Sequence, residues 1–420
     1  MILYRLFLLF YPILAKLISP FNEKAKYWVE GQQKAWDEIR VLSSQIKGPI
    51  IWIHCASYGE FEQGLPIISG LKKTYPTHQI WVTFFSPSGY LHRKNHPAVD
   101  FVSYLPLDSP SAATQWMEMV QPKCIVFIKY EFWYYYLKQA AQKKIPTFLA
   151  SAIFRPDQIF FKFYGGFYRT MLQLFTGILV QDIHSKNLIA PLLKDTHLNV
   201  SGDTRFDRVL DIASAKITID WTLRLANVKT IVAGSTWEDD HKIIGSVLKD
   251  WDQCNWIIVP HHVDAASIKA CLSHFTNAVC LSEWLTQSNS MKKPMVLIVD
   301  QIGLLSHLYQ YADIAYIGGG FTKDGIHNVL EAAVFGKPVI WGPNDSKYPE
   351  AIGLRNVGGG IQIKDTSTLN KALEKLLNDT TFSKATGDAA LKYVQAHAGA
   401  TQKTMDCIKQ IYVSPTGQTL

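Results

Sequence analysis

No G-x-G-x-x-G, no G-x-x-x-x-G-K-[ST] and no C-x-x-C occurs anywhere in the sequence, and each absence removes a class of function. The first two disfavour a dinucleotide cofactor and a P-loop. The third, with six scattered cysteines in a chain of 420 residues, argues against a zinc site and a disulfide framework and fits a reducing cytoplasm. A membrane-spanning run is also missing. The most apolar segment, MILYRLFLLFYPILAKLISP, is interrupted by Arg5 and Lys16, leaving only Leu6–Ala15 uncharged. A bilayer span needs roughly 20 apolar residues. No small-residue cleavage site follows, so a signal peptide is disfavoured too. The segment, residues 1–20, reads as a helix lying in a membrane interface, with Arg5, Lys16, Lys24 and Lys26 facing lipid phosphate. A first helix packed on the protein's own core is the competing reading.

What is present is asymmetric. The net charge is +7, yet residues 1–210 carry +8 and residues 211–420 carry −1. The first half is therefore expected to meet something anionic. Short continuous apolar runs alternate with amphipathic ones: PIIWIHC (49–55), QIWVTFF (79–85), CIVFI (124–128), TFLAS (147–151) and GILVQ (177–181). The rhythm restarts with TIVAG (230–234), WIIVP (256–260), MVLIV (295–299), IAYIG (314–318) and PVIWG (338–342). Such runs mark parallel strands covered on both faces. The pattern predicts an α/β chain with two doubly wound, Rossmann-like domains, 21–207 and 208–412, followed by a frayed tail, 413–420. Their functional loops should follow strand ends and face a central cleft.

Several of those loops carry chemistry. In HCASYGEFEQG (54–64), Ser57 and Gly59 suit a tight turn and Glu60 opens a helix, either as a cap or as a general base. In KYEFWYYYLKQ (129–139), Glu131 sits among Tyr130, Phe132 and Trp133, suiting a sugar site or, again, a cap. The aromatic stretch 154–175 includes Arg155. In the second half Gly234, Ser235 and Thr236 lead from a strand into a helix whose N–H groups would meet phosphate. His261 and His262 follow another strand, without further ligands at metal spacing. The densest segment is 313–343. Gly318, Gly319 and Gly320 end a strand, Gly325 follows, and a helix expected near His327 and Asn328 carries Glu331, a carboxylate able to accept both hydroxyls of a ribose.

These segments, in order, resemble the 3-deoxy-D-manno-octulosonic acid (Kdo) transferases, inverting GT-B glycosyltransferases of lipopolysaccharide and lipid A assembly in Gram-negative bacteria. Ser57, Gly59 and Glu60 match Ser-x-Gly-Glu. Thr83 to Gly89 matches the family's Thr/Ser-Pro-x-Gly loop, and residues 104–108 its Tyr-Leu-Pro-x-Asp. Glu131 to Trp133 matches Glu-Leu-Trp, with Phe132 for Leu. Gly202 to Asp207 matches Gly-x-x-Lys-Phe-Asp with Arg205 for Lys, and Gly325 to Glu331 matches Gly-x-His-Asn-Pro-Leu-Glu with Val329 for Pro. The 258–264 loop has a histidine in place of an arginine. The resemblance runs from residue 1 to about 400. It implies CMP-Kdo as donor, a lipid A precursor (lipid IVA) as acceptor, no cofactor, no metal and no nucleic-acid partner. It places the enzyme on the cytoplasmic face of the inner membrane, associated through its N-terminus. It implies Glu60 and Glu131 as catalytic residues. Ser235, Thr236, His261, His262, Gly319, Gly320, Gly325, Asn328 and Glu331 would form the donor site, and Ser57, Gly59, Ser86, Ser88 and Arg155 the acceptor site. Another GT-B enzyme using a UDP-sugar, transferase or epimerase, and a non-catalytic membrane-associated binding protein are the alternatives.

Overall fold

The computed structural model describes residues 1–215, 217–225, 228–286 and 296–412. The chain forms two compact units, Met1–Arg208 with Ala398–Leu420, and Val209–His397. The first is built on a seven-stranded sheet: β1 (Ile50–Cys55), β2 (Gln79–Phe84), β3 (Phe101–Tyr104), β4 (Pro122–Ile128), β5 (Thr147–Ala152), β6 (Gly177–Val180) and β7 (His197–Val200). The second sheet contains β8 (Thr230–Thr236), β9 (Asn255–Pro260), β10 (Ala278–Cys280), β11 (Val296–Ile298), β12 (Ile314–Ile317), β13 (Val339–Trp341) and β14 (Gly360–Gln362). All recorded pairings are parallel. Both sheets are covered by helices, and β1 and β9 are buried along their whole length, which explains the unbroken apolar runs that mark them in the sequence. Met295, read as part of the 295–299 strand, lies outside the described residues.

The strand orders are β3-β2-β1-β4-β5-β6-β7 and β10-β11-β9-β8-β12-β13-β14. Each sheet therefore reverses direction once, between β1 and β4 in the first and between β8 and β12 in the second. In open α/β sheets ligands bind beyond the strand carboxyl ends at that switch point.

Two elements tie the chain ends to the first unit. The amino-terminal helix Ile2–Ile18 is fastened by Tyr4, whose hydroxyl donates to buried Asp108 at 2.5 Å. The same carboxylate accepts from the Tyr135 and Tyr136 amides, capping the helix Tyr134–Gln142. The helix thus docks on the core along one edge, while Leu3, Leu9, Phe10, Leu17 and, beyond its end, Phe21 remain exposed. No helix among the described residues is long and apolar enough to cross a membrane. At the other end, the sequence assigns residues through 412 to the second domain, but the structure returns Ala398 onward to the first unit. The helix Ala400–Ile411 is capped by Asp207, which accepts from Gly399 N at 2.6 Å and Thr401 N at 2.5 Å. Met405, Ile408 and Tyr412 pack into the core beneath β1, β2 and β4. Periodicity identifies such a helix but not the sheet it covers. Residues 413–420, read as the tail, lie outside the described residues.

Candidate active site

In the first unit the loops after β1, β2 and β4 converge at the switch point. Ser57 caps the helix Tyr58–Thr74 through its backbone, and Glu60 sits in the first turn. Its carboxylate accepts from the Ala56 amide. Glu60 is nonetheless displaced far from ordinary carboxylate behaviour. Desolvation first, and the nearby Glu131 carboxylate second, push its pKa up to about 8, against the opposing pull of the Ala56 amide and Lys129. The adjoining β2 loop is joined to this turn. Ser86 N donates to Ala56 O at 2.7 Å, and the Ser86 and Ser88 hydroxyls lie 3.1 Å apart. A side chain at Gly59 would meet no atom within 4 Å, so that glycine faces open space. Exposed Arg155 follows β5, the strand beyond β4.

Glu131 is almost fully buried and held by a network that sequence reasoning did not single out. The His54 ring lies between Thr83 Oγ1 at 2.8 Å and Glu131 Oε2 at 3.0 Å. Trp52 Nε1 donates to Thr83 Oγ1 at 2.7 Å, and Trp133 Nε1 donates to Glu131 Oε2 at 2.7 Å. His54 Nδ1 faces the Thr83 hydroxyl, and its Nε2 faces both the Glu131 carboxylate and, at 3.1 Å, Trp133 Nε1. One carboxylate oxygen thus meets both the Trp133 indole N–H and the His54 ring. The signal was in the sequence: a histidine inside a continuous apolar strand requires partners, and register sets His54 opposite Thr83.

The backbone at the ends of these strands is unusual. Lys129, next to the end of β4, Ser151 near the end of β5 and Ser235 near the end of β8 adopt φ of +69°, +54° and +53°. Non-glycine residues in that region cluster at functional sites.

In the second unit the loops after β8, β9 and β12 meet in the same way. Trp237, His261 and His327 form a stack of rings, with His261 centred 4.6 Å from each neighbour. His262 stands edge-on to Trp237 at 5.2 Å. Trp237 Nε1 donates to His327 Nε2 at 3.0 Å, which requires that nitrogen to be unprotonated. Burial first and His261 second push the His327 pKa down to about 4, in agreement. Asp240, another residue the sequence analysis passed over, is fully buried. It accepts from Trp237 N at 2.9 Å, Gly319 N at 2.8 Å and Tyr316 Oη at 2.7 Å, binding the two switch-point loops together.

The structure revises two readings of this unit. The glycine run has an internal explanation. A Cβ at Gly318 would come within 2.3 Å of Ser235 O, and one at Gly320 within 2.6 Å of Gly342. Gly319 and Gly325 have φ of +85° and +89°. The close approach these glycines permit is first of all to the protein's own backbone. The helix expected near His327 is the single turn Leu330–Ala333, with Glu331 in it. Asn328 precedes it, accepting from Leu330 N and donating to Glu331 Oε1 at 3.2 Å. Thr236 is buried, and its hydroxyl lies 2.8 Å from His241 Nε2, so its side chain is engaged internally. Among the described residues no three His, Cys, Asp or Glu side chains are grouped to hold a metal ion.

Two doubly wound parallel units, each with its functional loops at a switch point, are the GT-B fold. The fold is shared with a glycosyltransferase from Rickettsia africae (10% identity, 88% of this chain and 100% of that one, TM-score 0.55). It is also shared with the UDP-GlcNAc 2-epimerase of Methanocaldococcus jannaschii (16%, 83% and 99%, TM-score 0.54). Residues 30–208 match the family model of 3-deoxy-D-manno-octulosonic-acid transferase (kdotransferase). The chain is 29% identical to the 3-deoxy-D-manno-octulosonic acid transferase of Haemophilus influenzae, with 86% of each chain covered. It is also 29% identical to that of Aquifex aeolicus, covering 78% of this chain and 86% of the relative. Over most of its length the chain is thus similar to the Kdo transferases, which are glycosyltransferases.

Proposed function

We propose that this enzyme, a Kdo transferase of lipopolysaccharide biosynthesis, takes Kdo from CMP-Kdo and places it with inversion on a hydroxyl of lipid IVA. The observation that carries this reading is the placing of Glu60 and Glu131 on the two loops flanking the first sheet's switch point, with Glu60 poised to exchange a proton near neutral pH. In the proposed step the acceptor oxygen bonds to the anomeric carbon as the bond to the CMP phosphate breaks. The electron pair leaves with CMP, and the acceptor proton passes to Glu60. Glu131, held in place by His54 and Trp133, would balance the positive charge that develops on the sugar. Ser57, Gly59, Ser86, Ser88 and Arg155 would receive the acceptor sugar. In the second unit Ser235, Thr236 (through its backbone), His261, His262, Gly319, Gly320, Gly325, Asn328 and Glu331 would hold the donor, Glu331 through the ribose hydroxyls.

The cationic first half and the exposed apolar face of the amino-terminal helix support peripheral attachment to an anionic leaflet. Incubation with CMP-Kdo and tetraacylated lipid IVA, followed by mass spectrometry of the lipid and assay of released CMP, tests the reading. An unmodified lipid, or consumption of a UDP-sugar instead, would overturn it.

A further inference from the structure

The switch point of the first unit has too much negative charge for the substrate proposed above. The Glu60 and Glu131 carboxylates already lie close enough to repel, the second raising the pKa of the first. The carbon that must come up to Glu60 is the anomeric carbon of a 2-keto sugar acid, and it bears a carboxylate of its own. A third like charge left without a partner would be strongly disfavoured. Lys129 stands where a cation is needed. It directly follows β4 and precedes Glu131 by two positions. Its amide donates to Ala150 O at 2.8 Å, fixing the turn to the end of β5. Its φ of +69° is one that glycine adopts without strain and lysine does not, so the side chain has something to offer at this position. The ammonium group lies 5.8 Å from the centre of the Tyr130 ring. Its charge pulls the Glu60 pKa down, against burial and Glu131. The lysine is half-buried, within reach of a ligand, whereas the basic ring of His54 is wholly buried and turned to Glu131.

We infer that Lys129 is the counter-ion of the donor sugar, its ammonium group donating to the carboxylate on the anomeric carbon as that carbon comes up to Glu60. This rests on the reading that the donor is CMP-Kdo. Only a sugar acid can make the contact, so Lys129 selects the donor by its carboxylate.

The test compares the full-length enzyme with Lys129→Gln, which removes the charge at similar length, and Lys129→Arg, which keeps it. Each is assayed with CMP-Kdo and tetraacylated acceptor across the rise of activity that marks Glu60 ionisation, and on the plateau above it. Lys129→Gln should move that rise to higher pH, since the lysine holds Glu60 down. On the plateau its kcat/KM for CMP-Kdo should still be about 10–100-fold below wild type, the range for a lost charge-assisted hydrogen bond. Lys129→Arg should recover most of that loss. Binding of CMP alone, read by titration calorimetry, should not move in either variant. A loss that vanishes on the plateau overturns the inference, because the lysine would then act only through the Glu60 proton. So does a loss that vanishes with a dephosphorylated acceptor, which would put Lys129 on an acceptor phosphate. Equal weakening of CMP binding overturns it as well, since CMP carries no sugar carboxylate. A wild-type enzyme that does not use CMP-Kdo would instead overturn the proposed function.

Discussion

The two units use one topology for different work. Each is a seven-stranded parallel sheet with a single switch point, β1/β4 or β8/β12. The first places two carboxylates, a lysine and a buried histidine there. The second places a glycine turn, an aromatic-histidine stack and a buried aspartate whose hydrogen bonds are made internally. Proton transfer needs a titrating group near neutrality, and at the switch points Glu60 has that property. In the proposed reading nucleotide recognition falls to the second unit, whose loops offer backbone amides and flat rings. Identical architecture thus leaves chemistry to the loops.

The sharpest way to break that division is to remove one carboxylate from each side. Glu60→Gln should lower kcat by about 10²–10⁴ while CMP-Kdo still binds. Glu331→Gln should raise donor KM by about 10–100-fold, the range for a lost charge-assisted hydrogen bond, with kcat largely kept. Steady-state kinetics and donor titration read both. Near-normal turnover of Glu60→Gln, or a pure kcat loss in Glu331→Gln, would reverse the roles assigned to the units.

A smaller effect concerns pH. The activity of the wild-type enzyme should rise with pH to a limb near 8, where Glu60 ionises. Glu131→Gln removes the like charge that helps hold Glu60 up, so the limb should move to lower pH even as the rate falls. A kcat/KM profile whose limb stays in place would show that Glu131 does not face Glu60.

Glycines supply a structural contrast. Gly320→Ala drives a methyl into Gly342 backbone 2.6 Å away, and should destabilise the second unit by about 1–3 kcal/mol. Gly59→Ala meets open space and should melt like wild type. Any loss of activity in Gly59→Ala then reports a ligand approaching that position.

How far the sequence carries can be argued from these same elements. The strands of both sheet centres are legible because burial on two faces makes them continuously apolar. The edges are less so. β10 and β14 are three residues long and partly exposed, and β7 alternates exposed with half-buried positions, so its end is readable only through the Gly202 turn. β3 is buried but only four residues long. Glu60 and Glu131 are visible as polar residues just past strand ends. His54 escaped because it lies inside the strand, and its role depends on Thr83 and Glu131, residues 29 and 77 positions away. The return of the last helix to the first unit depends on the Asp207 cap, a long-range contact with no local signature.

The smallest predicted effect follows the linkage of protonation to folding. In the first unit burial raises Glu60 to about 8 and Asp108 to about 6. Folded protein then holds protons that unfolded chain releases, so this contribution is full below the ordinary carboxylate range and is lost as pH rises through those values. In the second unit burial lowers His241 and His327 to about 4. Their contribution has the opposite sense, present above the ordinary histidine range and lost as pH falls toward 4. His78 and His96 in the first unit, and Asp240 in the second, shift against these trends and shrink the net difference. Single variants isolate it. Glu60→Gln should raise the melting temperature at pH 9 and leave it nearly unchanged at pH 5, while His327→Gln should help at pH 4.5 relative to its effect at pH 8. Scanning calorimetry at these pH values decides it: a Glu60→Gln gain of equal size at pH 5 and pH 9 would mean that the residue's burial, and not its proton, is what the fold registers.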